Sequence, residues 1–143
     1  MKIAVLVKQV PGSETALPIL GNHNWIDEEQ VSFVMNPPDN FAIEEALLIK
    51  ERTGDGEVVI VSMGPARVQK VIREGLAKGA DRGIHLEEDG QIQTDPLSIA
   101  KSISSILRDE NFDLVFSGLQ SDDTGMGQTG VLIGEMLGMS TGT

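Results

Sequence analysis

From Phe112 to Leu137 the chain reads Phe112-Asp-Leu-Val-Phe-Ser117, then Gly118-Leu119-Gln120-Ser121-Asp122-Asp123-Thr124-Gly125-Met126-Gly127-Gln128-Thr129-Gly130, then Val131-Leu-Ile-Gly-Glu-Met-Leu137. An apolar run of strand length enters a loop of glycines, hydroxyls and carboxylates, and the loop opens an apolar-periodic helix. Glycine lets a backbone approach a ligand closely, and the first amides of a helix have no partner within it. Such a junction can receive a phosphate. The stretch predicts a strand, a nucleotide-binding loop and a helix, in that order.

Upstream the same alternation repeats. Met1 to Lys8 is rich in Val and Ile, ends at Pro11-Gly12, and reads as a buried strand. Residues 12–36 are mixed, with a turn signal at Gly21-Asn22, and read as an excursion or hairpin. Phe41 to Lys50 has helical periodicity, with Asp39 or Asn40 available as N-cap and Gly54-Asp-Gly56 as the stop. Glu57 to Met63 is a second buried strand. Gly64-Pro65 then turns into a helix over about 66–78, with Gly79 past its end.

Asp81 to Leu86 supplies a third strand, and Asp95-Pro96 starts a helix whose apolar stripe is Leu97, Ile99, Ala100, Ile103, Ile106 and Leu107. Apolar strands separated by helices predict an α/β fold of three layers, α/β/α, with a mainly parallel, Rossmann-like sheet and right-handed crossovers. Ligands of such sheets sit beyond the carboxyl ends of the strands, here near Lys8, Met63, Leu86 and Ser117.

Composition narrows the function. The 143 residues read as a single domain, 1–143, large enough for a proper core. No cysteine is present, so disulfides, thiolate metal sites and cysteine nucleophiles are excluded. A formal charge of −11 argues against a nucleic-acid partner, whose phosphates need clustered Lys and Arg. No apolar run is long enough for a bilayer, and the N-terminal strand is too short for a secretory signal. The expected compartment is the cytoplasm of a prokaryote or another soluble interior, such as a mitochondrial matrix. The acid clusters Asp27-Glu-Glu29 and Glu87-Glu-Asp89 read as solvated loops.

Chemical readings of the loop compete. Gly125-Met-Gly-Gln-Thr-Gly130 has dinucleotide-fold glycine spacing, but eight residues, Ser117 to Thr124, separate it from the strand, and the first glycine should follow almost at once. The G-x-x-x-x-G-K-[ST] phosphate loop is absent. The remaining reading is a loop wrapped around an adenine nucleotide, with phosphate on the amides of Gly127 to Thr129 and on the Thr129 hydroxyl. Its carboxylates then face ribose, adenine or water, because a carboxylate beside a phosphate is repelled. Asp122 and Asp123 also suit plain turn or N-cap roles. His23 and His85 lack metal-ligand spacing and read as structural or surface residues. Ser121 lacks a nucleophile-elbow motif. Trp25 reads as a packing residue, and the scattered methionines as core.

Four ordered segments carry a family resemblance: Val5-Leu-Val-Lys-Gln-Val-Pro11, Met35-Asn-Pro-Pro-Asp-Asn-Phe-Ala-Ile-Glu-Glu-Ala-Leu47, Val59-Ile-Val-Ser-Met-Gly-Pro65 and Gly75-Leu-Ala-Lys-Gly-Ala-Asp-Arg-Gly83. Together they resemble the β subunit of electron transfer flavoproteins along almost the whole chain. The resemblance implies an adenine-nucleotide pocket, usually holding AMP, without hydrolysis. By position the pocket comprises Leu6, Asn36, Pro37, Pro38, Asp39, Met63 and the loop Gly118 to Thr129. Where many members have a run of acids followed by Asn-Gln-Thr, Asp123 matches the first acid, Thr124 and Gly125 replace the next two, and Gly127 replaces the Asn.

The resemblance further implies a heterodimer with an α subunit that carries the electron-transferring FAD. Dehydrogenases are the implied electron donors, with no membrane insertion and no catalysis by this chain itself. Some members hold a second FAD, used for electron bifurcation, where others hold AMP; Thr129 at the helix start favours AMP. The family continues well beyond residue 143, so the chain is expected to be a domain truncated at its C-terminus. The alternatives are a stand-alone ATP- or AMP-binding regulatory domain of the universal-stress-protein kind, and an NAD-dependent oxidoreductase resting on the Gly125–Gly130 spacing.

Overall fold

A computed structural model describes residues 1–22, 24–88 and 95–143. In chain order the elements are β1 (Lys2–Leu6), β2 (Gln9–Pro11), β3 (Phe33–Met35), α1 (Pro37–Thr53), β4 (Glu57–Gly64), α2 (Gln69–Ala77), β5 (Arg82–Glu87), α3 (Pro96–Glu110), β6 (Leu114–Ser117) and α4 (Thr129–Leu137). Four of the strands form one parallel sheet in the order β5–β4–β1–β6. The predicted α/β layering is therefore observed.

Near-continuous apolar sequence makes β1 and β4 the buried centre of the sheet, because both faces are covered. On one face Ile3, Val5, Val58 and Ile60 pack against Ile43 and Ala46 of α1 and Val71 and Ile72 of α2. On the other, Ala4, Leu6, Val59 and Val61 meet Ala100, Ile103 and Leu107 of α3 and Ile133 of α4. Burial of the Val, Leu and Ile side chains among these stabilises each by roughly 1.5–3 kcal/mol over exposure, before conformational entropy is charged against it.

The order β5–β4–β1–β6 contains a reversal. The chain steps outward from β1 to β4 to β5, then returns through α3 to place β6 on the other side of β1. The carboxyl ends of β1 and β6 therefore diverge into connections on opposite faces, and a crevice opens between them. Leu6 is in register with Ser117 at this point.

Residues 12–36 do form a hairpin-like excursion. β2 pairs antiparallel with β3, and Ile19 bridges Ile26 around the predicted turn. The Arg67 guanidinium stacks 3.7 Å over the Phe33 ring and bonds Gln9 and Glu28, tying the excursion to the turn after β4. Trp25 departs from its expected packing role. It is 42% exposed, with its indole N–H donated to Glu28 at 2.9 Å, so one edge of the ring is spent on a surface hydrogen bond rather than on packing.

Two helix starts differ from the sequence reading. Asn36, not Asp39 or Asn40, is the N-cap residue of α1, and the helix begins at Pro37 rather than Phe41. Proline's fixed φ suits the first helical turn, where its missing N–H is not needed. Ala66–Val68 forms a separate 3₁₀ turn before α2. Met126 is half exposed rather than in the core, and His85 is held by a 2.8 Å contact between Nε2 and the Gly64 carbonyl. His23 and Asp89 lie outside the described residues. No described helix is long and apolar enough to cross a membrane.

Candidate functional site

Three segments wall the crevice: the end of β1, the first turn of α1 and the end of β6. They are joined by two buried polar side chains, Asn36 at the N-cap of α1 and Asp39 in its first turn. Asn36, 1% exposed, donates its amide to the Gln120 carbonyl at 3.0 Å and accepts from the Asp122 amide at 3.0 Å. It thus pairs with the loop backbone as a neighbouring strand would. Asp39, 5% exposed, accepts from the Lys8 amide at 2.7 Å, the Gly118 amide at 3.1 Å and Asn36 at 3.1 Å. Burial pushes its carboxyl above the usual aspartate value, although the three donors and the Lys8 charge pull against that.

This packing explains Gly118. A Cβ built there would lie 2.3 Å from Asp39 Oδ1 and 2.8 Å from the Pro38 side chain. The glycine lets β6 approach the start of α1, which the short, ring-closed Pro37-Pro38 turn presents.

Farther along, Ser121 to Gly125 close a turn through the Gly125 amide, 2.9 Å from the Ser121 carbonyl. Lys8 reaches into it: its ammonium donates to Asp123 at 2.7 Å, Ser121 Oγ at 3.2 Å and Thr124 Oγ1 at 3.3 Å. Burial pushes the Asp123 carboxyl up, but hydrogen bonds from Lys8, Ser121 and the Thr124 amide outweigh it and leave the group below the usual value. Ser121 is therefore next to an ammonium already paired with a carboxylate, which donates protons in hydrogen bonds rather than abstracting one. The pair supplies binding geometry, not an activated nucleophile.

Gly125 and Gly127 both have φ of 62°, the left-handed region that favours glycine. They turn the backbone into α4, whose N-cap position is Gln128 without a side-chain cap bond. Among the described residues, the amides of Met126 to Val131 donate to nothing in the chain. The site thus combines bare amides and the Thr129 hydroxyl at a helix start with an Asp123 carboxylate already engaged by Lys8, a donor set suited to a phosphate.

The sequence-derived residues land unevenly. Leu6 and Met63 both belong to the sheet face covered by α3 and α4, at the ends of β1 and β4. Asn36, Asp39, Gly118, Gln120 and Asp122 are brought together by direct hydrogen bonds, and Pro38 borders Gly118. Asp122 and Asp123 occupy the turn, as one reading had it, but neither caps α4. Leu119 and Met126 point mostly to solvent at 71% and 51% exposure. A cavity of about 720 Å³ runs beside β6 and the segment Met139–Thr143, sharing only Gly118, Leu119 and Gly127 with the loop. It also reaches Gly130 and Val131, so it borders the start of α4 where the bare amides lie.

Lys8 is the residue that sequence reasoning missed. Its signal was present as a lone cation at the end of an apolar strand, followed by no Lys or Arg until Lys50.

Comparison with known proteins bears on the whole chain. A family model described as the electron transfer flavoprotein domain matches residues 24–143. The chain is similar to proteins named electron transfer flavoprotein subunit beta: 38% identical to that of Bradyrhizobium diazoefficiens, with all of this chain aligned to 57% of the relative. It is 39% identical to the mitochondrial protein of Arabidopsis thaliana, over all of this chain and 56% of the relative. For the Homo sapiens protein the figures are 34%, all of this chain and 57%. The chain spans just over half the length of these curated relatives.

Proposed function

Because the chain belongs to the electron transfer flavoprotein family, matching the N-terminal part of its β subunits, we propose that its crevice holds AMP as a structural ligand. The chain then serves as the β-subunit scaffold of an electron carrier and has no catalysis of its own. Its partner is an α subunit carrying FAD, which supplies the redox chemistry between dehydrogenases and an acceptor in a soluble compartment.

The observation that carries this reading is the run of bare amides from Met126 to Val131 at the switch point of the sheet. In it the amides of Gly127 to Thr129 and the Thr129 hydroxyl hold the phosphate, and Leu6 and Met63 line the apolar end for adenine. Asn36 and Asp39 act through the loop they brace, because their polar atoms are already bonded to backbone. Bound nucleotide stabilises the fold by mass action, by about 2.7 kcal/mol at a hundredfold excess over Kd.

FAD in this same pocket is the second reading. The small Gly125 and Gly127 favour it, because they leave room for a second phosphate beyond the first. Mass spectrometry of the nucleotide released on denaturing the purified protein separates the two. AMP at one equivalent supports the first reading, and FAD at one equivalent replaces it. Absence of any nucleotide, together with failure to bind AMP or FAD when added, overturns both. Co-purification with a yellow α subunit tests the electron-transfer role independently.

A further inference from the structure

The Lys8 backbone is fixed on both sides. Its amide donates to Asp39 at 2.7 Å, and its carbonyl accepts from the Asn36 amide at 2.8 Å. Only the side chain remains free to choose partners, and it crosses from the end of β1 to the 121–124 turn. All three ammonium protons have acceptors there: Asp123, Ser121 and Thr124. Among the described residues no other cation bonds to the loop between Gly118 and Thr129. The Asp123 side chain is 26% exposed, so its charge is screened less by water than that of an open surface acid.

We propose that Lys8 is the positioning residue of this crevice, latching the 121–124 turn to β1 and cancelling the charge of Asp123 so that the loop accepts a phosphate. The proposal rests on the nucleotide reading above and adds a charge requirement to it. Without Lys8, the turn carries two carboxylate charges with no cation against them, a few residues from the amides of α4. A 5′-phosphate then meets repulsion that adenosine does not feel. The latch also explains how an acid-rich loop in a strongly acidic chain suits an anionic ligand.

Two readouts separate the parts of the proposal. Hydrogen exchange of the 121–125 amides reports the latch, and the ratio of AMP to adenosine affinity, measured by calorimetry on nucleotide-stripped protein, reports the charge. K8M is expected to raise exchange in this segment about tenfold and to lower the AMP/adenosine ratio about tenfold. K8R retains most of both properties. Adding D123N to K8M restores the ratio to within about threefold of the wild type but leaves exchange fast.

Unchanged exchange in K8M overturns the latch. An unchanged ratio in K8M, or a loss that D123N does not relieve, overturns the charge role; the latter result means that Lys8 touches the phosphate itself. Wild-type protein that binds neither AMP nor adenosine removes the nucleotide reading and the charge role with it, and exchange alone then judges the latch.

Discussion

The Gly118 amide donates to the Asp39 carboxylate at 3.1 Å across 79 residues of chain. The other carboxylate oxygen takes the Lys8 amide at 2.7 Å. One buried side chain on the first turn of α1 therefore fastens the ends of both β1 and β6, the strands that bound the crevice. Shape at the site is set by this acid before any ligand arrives.

Replacing Asp39 with Ala leaves two part-buried backbone amides without their acceptor. The expected loss is about 1–3 kcal/mol, read from urea denaturation midpoints at neutral pH. Asp39 also has a pH signature. Burial raises its folded-state value above the ordinary 3.8, so the native state binds more protons than the unfolded chain in that window. Its titration then lowers stability as pH rises from about 3.8 through the folded value. D39N abolishes this component, and the difference between the two pH–stability curves measures it.

Gly118→Ala drives a methyl group into Asp39 and Pro38. The listing of α1 away from β6 that relieves this clash costs about 1–3 kcal/mol by the usual penalty for overpacking. Gly142 has open space around its Cβ position and serves as the control. Thermal melts are expected to show a lower Tm for G118A and an unchanged one for G142A.

Asp81 gives the opposite pH response from Asp39. Its carboxylate accepts from Lys50 at 2.5 Å and from the Val58 amide at 2.7 Å, and these bonds hold it below the ordinary value of 3.8. Its stabilisation is present above 3.8 and is lost as pH falls through the lower folded value. D81N is expected to be less stable than wild type at neutral pH, with the two curves converging at the acid end. Fluorescence of Trp25 during urea unfolding, repeated along a pH series, follows both.

Thr129→Val keeps the size of the side chain and removes the hydroxyl at the start of α4. On the AMP reading, affinity falls by about 1.5–3 kcal/mol, the loss of one hydrogen bond to a charged group. Adenosine, which lacks the phosphate, is expected to bind both proteins equally. Calorimetry with the two ligands checks this, and equal loss for both places the hydroxyl away from the phosphate.

The alternation of strands and helices was legible because its signals are local. Val58 to Val61 form a buried run, Pro96 follows a capping Asp95, and Gly54 ends α1 with φ of 69°. Each of these is a short-range preference of backbone and solvent, so neighbours in sequence suffice to read it. The start of α1 was misjudged because Asp39 looks like a cap by type. In the fold its carboxylate takes the amides of Lys8 and Gly118, just past the ends of β1 and β6, together with the Asn36 side chain, instead of capping its own helix.

From the sequence by itself came the parallel α/β architecture, the position of the loop after β6 and the resemblance to a nucleotide-binding family. Periodicity, turn residues and ordered motifs carry that information along the chain. Only the tertiary structure decided which side chains the crevice uses as braces and which loop charges are cancelled. Lys8 meets Asp123 across 115 residues, and Asn36 meets the Asp122 amide across 86. Such partnerships depend on which strands the sheet places side by side, and the reversal that puts β6 next to β1 is a property of the assembled sheet, not of any local segment.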